Sequence, residues 1–328
     1  VANTDQNIEI VEKINGYANE GVPFFLLVDF EMKKPLLLPL DQITSHGILI
    51  NFPNFSNVDK TIEVSNSEPA MGVQGTSEDS YSVAFDKVMH HLLRGDTYLT
   101  NLTAPVKVSL TESLESLFHK SVATYKVLIK NEFLVFSPEI FVRICENTIS
   151  TYPMKGTIDA SLENAESKLL LDIKELAEHY TIVDLLRNDL SVVAKKVRVK
   201  DFRYIDIIKT NKKKLLQTSS CVSGELPDGW QRQLGQIVFS MLPAGSVSGA
   251  PKKRTCEIIA AAESTERGYY TGIAGVFDGK SFDSCVLIRF IEQTPEGFVY
   301  RAGGGITTQS NKDSEFKELI DKVYVPVI

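Results

Sequence analysis

Two pairs of glutamates stand three residues apart, Glu175 with Glu178 and Glu315 with Glu318, in segments whose apolar spacing predicts helices. An i,i+3 spacing puts both carboxylates of a pair on one helical face, and Lys322 continues the second face four residues beyond Glu318. If the two helices face each other, four carboxylates converge, and so many like charges need a hard divalent cation bound through oxygen. The spacing fits two solvated helix faces with ordinary ion pairing equally well. Lys155, in Pro153–Thr157 (PMKGT), follows a predicted strand. It is either an exposed surface residue or, if desolvated near other cations, a nucleophilic amine. Pro243–Lys252 (PAGSVSGAPK) runs straight into a predicted helix, where free backbone N–H groups could hold an anion, although it does not match a phosphate-binding GxxxxGK[ST] loop. Ala302–Ile306 (AGGGI) ends a predicted strand. Three successive glycines there fit close backbone approach to a ligand, or a tight structural turn.

The elements that must position these groups can be read from hydrophobic periodicity. The first 60 residues read as short strands, with Pro23–Phe30 and Leu37–Leu40 forming a hairpin about a Lys-Lys-Pro turn. Residues 65–80 read as an exposed loop. A helix is predicted from Ser80 or Ser82, with Val83, Val88, Leu92 and Leu93 on one face and Gly95 just past its end. A second covers 112–125, and strands follow at Phe133–Phe136 and Phe141–Ile144. The span from Asn164 to about Asp189 carries the strongest helical periodicity. Beyond it come strands near 193–208, helices near 230–241 and 252–262, strands at 271–277, 284–293 and 297–302, and a helix from about 311. Strands and helices cluster instead of alternating as βαβ units, which favours an α+β fold of mostly antiparallel sheet.

Composition bounds the function. With 328 residues, 43% of them apolar, the chain can bury a large core, as one domain or two. Its 35 Lys and Arg against 42 Asp and Glu leave a net charge of −7, which argues against a general nucleic-acid binder. The short basic cluster Lys212–Lys214 fits a solvated surface, and Lys252–Arg254 begins the helix predicted after the PAGSVSGAPK segment. Four cysteines without a CxxC or ligand pattern read as reduced, mostly buried thiols. No apolar run is long enough to span a membrane, and the N-terminus has no signal-peptide pattern, so a cytoplasmic location is expected.

Taken in order, Gly95–Thr103 (GDTYLTNLT), Ser137–Phe141 (SPEIF), PMKGT, Glu178–Asp189 (EHYTIVDLLRND), GSVSGAPK, Arg267–Phe277 (RGYYTGIAGVF), Ile288-Arg289, AGGGI and the EFKELIDK tail identify a resemblance. The chain resembles the chorismate-utilising enzymes, and within them the aminodeoxychorismate synthases, which carry lysine in a PIKGT-type motif where anthranilate synthases have alanine. The resemblance implies an α+β fold, one large synthase domain over 1–328 with mostly antiparallel, sandwich-like sheets surrounded by helices. Within it, 1–90 is a shortened N-terminal region and 95–328 the motif-bearing catalytic core. It implies conversion of chorismate and ammonia to 4-amino-4-deoxychorismate on the folate and 4-aminobenzoate route. In that chemistry Lys155 attacks C2 of the ring and Glu139 protonates the leaving C4 hydroxyl. It implies Mg²⁺ held directly by Glu178 and Glu318, with Glu175 and Glu315 acting mainly through water. Tyr270, Arg289, Lys322 and the amides of Gly303, Gly304 and Gly305 match the set that holds the enolpyruvyl carboxylate, and Gly156, Thr157, Ser248 and Gly249 wall the pocket. Gln217 stands where many relatives have a histidine that contacts the C4 hydroxyl region, and it cannot shuttle a proton at neutral pH. No cysteine has a GxCxG setting, so a separate glutamine amidotransferase subunit is the expected ammonia source. Anthranilate, isochorismate or salicylate synthesis on the same scaffold is the alternative activity. A weakly active chorismate-binding subunit is the alternative of a different kind.

Overall fold

A helix opens the chain where short strands were predicted. In the computed structural model, which describes residues 5–59, 71–75, 78–209 and 214–326, α1 covers Asp5–Glu20. Ile14 and Ala18, four residues apart, are buried against the rest of the protein, and the Asn15 amide donates to Gln236 at 2.7 Å. The expected hairpin follows as β1 (Phe24–Val28) and β2 (Leu36–Pro39), then β3 (Ile48–Asn51) and β4 (Met71–Gly75). Part of the loop expected over 65–80 is therefore strand, and the helix α2 (Glu78–Leu93) begins inside it; the remainder lies outside the described residues. Tyr81, Ala84, Phe85, Val88 and Leu92 form the buried face of α2, whereas Val83 and Leu93 point to solvent.

Next come β5 (Leu99–Leu110), α3 (Leu114–Lys120), β6 (Tyr125–Ile129), β7 (Phe133–Ser137), β8 (Ile140–Cys145), β9 (Thr148–Thr151) and β10 (Met154–Asp159). The helix expected over 112–125 is the shorter α3, because Tyr125 is claimed by the sheet. The long helical signal divides into α4 (Ala165–Leu171) and α5 (Ile173–Ser191). Asp172 causes the break: its side chain accepts from the Glu175 N–H at 3.0 Å, an N-cap that starts a new helix. The strands β11 (Lys195–Lys209) and β12 (Lys214–Glu225) follow, the second unassigned in the sequence reading. The chain finishes with α6 (Leu234–Ser240), β13 (Gly249–Ala250), α7 (Lys252–Ala262), β14 (Ile273–Phe277), β15 (Phe282–Val286), β16 (Phe290–Thr294), β17 (Gly297–Ile306) and α8 (Lys312–Asp321).

These strands build two antiparallel sheets. One runs β10-β12-β9-β8-β15-β14-β1-β2 with β11 beside β12; the other runs β13-β5-β17-β16-β7-β6-β3 with β4 beside β5. Phe25, Leu27, Ala274, Val276 and Cys285 of the first sheet share one apolar cluster with Ile48, Ile50, Tyr125, Val127, Val135 and Phe290 of the second. That shared cluster is the filling of a sandwich. A buried polar bridge crosses it: the Tyr125 hydroxyl donates to Asp283 at 2.7 Å, and Arg143 donates to both. On the outer faces, α1, α5 and α6 cover the first sheet and α2, α3, α7 and α8 the second. The expected α+β, antiparallel, helix-wrapped fold is what the chain adopts. Of the four free thiols, Cys221 and Cys285 are buried, while Cys145 is exposed. Among the described residues no helix is long and apolar enough to cross a membrane.

Candidate active site

A cleft of about 320 Å³ opens where the β10 edge of the first sheet meets β5 and β17 of the second. That is within the range of small-ligand pockets. Lys155, Glu139, Thr157, Gln217, Ser248, Tyr270, Arg289, Glu318 and Lys322 all line it, as do Gly156, Gly249 and Gly303–Gly305. Segments more than 180 residues apart in sequence, as 139 and 322 are, thus meet at one place.

Lys155 is aimed by a fault in its strand. Between Lys155 and Thr157 the register of β10 on β12 shifts, and Gly156 sits at the shift with φ +67°. A glycine in the left-handed region makes this bulge at little cost and turns the neighbouring side chain. The Lys155 amine stands 3.6 Å from a Glu178 oxygen, and its carbonyl accepts from the Thr218 hydroxyl. Its closest ionic partner is therefore a carboxylate, where the sequence reading considered neighbouring cations. Across the cleft, a Cβ built on Gly305 would lie 3.9 Å from the amine. The AGGGI segment ends β17, as expected, and its missing side chains leave room for the lysine. Gly249 has a second reason to be glycine: at φ +138° a Cβ would meet the Leu99 carbonyl oxygen at 1.9 Å.

Glu139 lies between β7 and β8. Ser137 and Val286 hold its main chain, and the Ser246 hydroxyl donates to its carboxylate. Burial pushes its carboxyl above the usual range, only partly offset by Ser246, Lys155 and Arg289. A buried carboxyl that keeps its proton is suited to general-acid work. Arg289 sits in the left-handed region at φ +57°, stacked on Tyr324 with its guanidinium 5.0 Å from the ring centroid. A non-glycine residue held there stores strain of the kind found at ligand sites. Lys322 donates to the Gly303 carbonyl at 2.9 Å and to Glu318 at 2.8 Å.

The four glutamates do not converge on one point. Among the described residues no three acidic, histidine or cysteine side chains gather closely enough to cage a metal. Glu318 lines the cleft, and Glu178 and Glu315 line an adjoining hollow of similar volume together with Lys155 and Lys174. Glu175 lines neither; its carboxylate stands over Gly156, 2.7 Å from where a Cβ would be. Burial, then the charge of Glu178, raises the Glu175 carboxyl. Burial also raises Glu315, with Ser310 opposing and Glu318 adding to the rise. For Glu318 burial acts upward too, but Lys322, together with Lys155 and Lys174, outweighs it and holds the group below the usual range. The donors are all oxygen, as a hard cation such as Mg²⁺ prefers when a ligand's own oxygens complete its shell, although Glu178 and Glu318 are each paired with lysine here.

Sequence reasoning passed over Ser246, Asn101, Tyr152 and Thr271, which also line the cleft. It also missed Arg267, whose side chain is almost wholly buried beneath the cleft. That guanidinium binds both oxygens of Glu263, at 2.6 and 2.9 Å, and the carbonyls of Val247 and Asn101, both at 2.7 Å. Ser246 and Asn101 lie within motifs already singled out, so their place beside pocket residues was the available signal. None of the histidines enters the reacting space. His179, next to Glu178, is buried against the Ser220 hydroxyl at 2.6 Å, and burial brings its pKa down to about 4.

The chain was compared with known proteins. It is 49% identical over 317 residues to an uncharacterized PabA-like protein of Haemophilus influenzae, an alignment that covers 97% of this chain and 96% of that one. It is 31% identical over 263 residues to aminodeoxychorismate synthase component 1 of Bacillus subtilis, covering 76% of this chain and 55% of the other. The menaquinone-specific isochorismate synthase of Escherichia coli superposes with a TM-score of 0.70 at 16% identity, over 97% of this chain and 80% of that one, a likeness of fold. The family profile described as chorismate binding enzyme matches residues 9–327, and the chain with its cleft of lysine, glutamates and glycine-lined strand belongs to that family.

Proposed function

We propose that this protein converts chorismate and ammonia to 4-amino-4-deoxychorismate, with Lys155 as nucleophile and Glu139 as general acid. The observation that carries the reading is the lysine itself: an amine aimed by the Gly156 bulge into the same cleft as a buried, hydrogen-bonded carboxyl and Arg289. The relative of Bacillus subtilis with the synthase name supports the same reading.

The lone pair of the Lys155 nitrogen bonds to C2 of the ring while the C4 hydroxyl departs as water with the proton of Glu139. Ammonia then bonds to C4 and the lysine leaves C2, so the amine is regenerated, and a proton from the new C4 ammonium returns to Glu139. Splitting the exchange lets hydroxide, a poor leaving group, depart protonated in its own step. Arg289, with Tyr270 and Lys322 beside it, would hold the side-chain carboxylate, for which a guanidinium offers paired donors. Thr157, Gln217, Ser248 and Gly249 shape the ring's surroundings. In this reading a resident Mg²⁺ would be held directly by Glu178 and Glu318, with Glu175 and Glu315 acting through water and the substrate's own oxygens completing the shell. When bound, it would neutralise the carboxylates and accept the ring carboxylate of a dianionic substrate. Ammonia would come from a separate glutamine amidotransferase subunit.

The test is incubation of the purified protein with chorismate, a magnesium salt and an ammonium salt, with products separated by chromatography. A non-fluorescent amino product that depends on ammonium supports the proposal. Fluorescent anthranilate or salicylate, or isochorismate formed without ammonium, would replace it with another activity of the same scaffold.

A further inference from the structure

We infer that the buried Asp189–Lys252 ion pair positions Glu139, acting through Ser246 in the loop between α6 and α7. The inference rests on the reading of Glu139 as the acid of this site. Asp189 lies near the C-terminal end of α5 and is 8% exposed. Lys252, the first residue of α7, donates to its Oδ1 at 2.8 Å and to the Met241 carbonyl at 2.7 Å. The main-chain N–H of Gly245 donates to the same carboxylate. The loop is thus clamped at both ends and in the middle by one ion pair. The clamp is tight, since a Cβ on Gly245 would stand 2.5 Å from Asp189 Oδ2.

The residue after the clamp is Ser246, whose hydroxyl donates to Glu139. Beyond it, Val247 is fixed through its carbonyl by Arg267 and Ser248 through its carbonyl by the Asn101 N–H at 2.9 Å. Ser137 and Val286 hold the Glu139 main chain independently, which leaves the carboxyl orientation to Ser246. A buried ion pair is no stronger a source of stability than well-packed apolar side chains, but it is directional. Here the direction is used to hold one hydroxyl on one acid. The other charged or titratable groups facing Glu139 are Lys155 of β10 and Arg289 ahead of β16, which favour its ionised form, and Cys285 of β15. Neither Asp189 nor Lys252 lines the substrate cleft.

Turnover, KM and the pH profile of kcat separate positioning from plain structure. Ser246→Ala is expected to lower kcat by about 10- to 100-fold with KM little changed. Its descending limb should move to higher pH, because the lost hydrogen bond favoured the carboxylate. Ser246→Thr, which keeps the hydroxyl, should recover most of both. Asp189→Asn and Lys252→Met should show the same signature in smaller measure, and should add nothing to it in a Ser246→Ala background. Loss of thermal stability with kcat and the limb unchanged would overturn the inference. So would effects that add in full to Ser246→Ala. If Asp189→Asn does not fold, Lys252→Met and Lys252→Arg are judged by the same criteria. A Glu139→Gln enzyme with full turnover would remove the underlying reading. An inactive Glu139→Gln beside an unaffected Ser246→Ala would remove only the positioning role.

Discussion

Gly156→Ala probes the device that aims Lys155. A non-glycine residue in the left-handed region costs about 1–2 kcal/mol, and Gly156 lies there at φ +67°. The new Cβ would stand 2.7 Å from Glu175 Oε2 and 3.2 Å from Leu169 Cδ1. The carboxylate can swing away, but Leu169 is 4% exposed and packed, so the contact behaves as overpacking. That adds about 1–3 kcal/mol, and the smaller unfolded-state entropy of alanine returns about 0.4–1 kcal/mol. The net expectation is a loss of about 1–5 kcal/mol, measured by urea unfolding. Turnover should fall as well, because relaxing the bulge turns the amine away from the cleft. A double variant with Leu169→Ala should lose less than the sum of its parts, since the packing contribution is shared. A Gly156→Ala protein within about 0.5 kcal/mol of the parent, the scatter of neutral substitutions, would refute the reasoning. So would strict additivity with Leu169→Ala.

Glu139→Gln is expected to be less active yet more stable than the parent at mildly alkaline pH. Burial raises the folded-state pKa of Glu139, so the stability it contributes is present at acid pH and lost as pH rises through that pKa. Unfolding of the two proteins at a series of pH values should show the gap closing below the ordinary glutamate range. Arg267→Met leaves Glu263 buried without its partner and should cost about 3–5 kcal/mol in unfolding experiments. A chelator should abolish turnover and added Mg²⁺ restore it; full activity in the chelator would contradict the metal proposal.

Legibility in the sequence followed the physics of each signal. Long-period apolar patterns and local capping chemistry placed α7, α8, β7 and β8 within a residue or two, because their buried faces are set by their own residues. The opening helix was missed although Ile10, Ile14 and Ala18 repeat every four residues, because polar neighbours dilute the stripe. The division of α4 from α5 depends on a single Asp172 side chain turning to cap the next helix. β12 is invisible to periodicity, since its polar run Thr218–Ser220 is buried inside a sheet where both faces are covered. At the site, residue types within recurring motifs brought Lys155, Glu139, Arg289 and the β17 glycines to one cleft. What spacing could not give was direction. Glu178 and Glu315 share one hollow while Glu318 lines the cleft beside it, Glu175 turns onto Gly156, and Ser246 and Arg267 act through contacts that only the folded loop creates.

The central claim is that Lys155 becomes covalently attached to the substrate ring. The most direct measurement is the intact mass of the protein, and of its Lys155 peptide, after rapid acid quenching with chorismate and Mg²⁺ in the absence of ammonium. The account predicts a gain equal to chorismate less one water on Lys155, its disappearance on adding ammonium, and its absence in Lys155→Ala. An enzyme that forms the amino product with Lys155 unmodified at every time, or that turns over fully as Lys155→Ala, would contradict it.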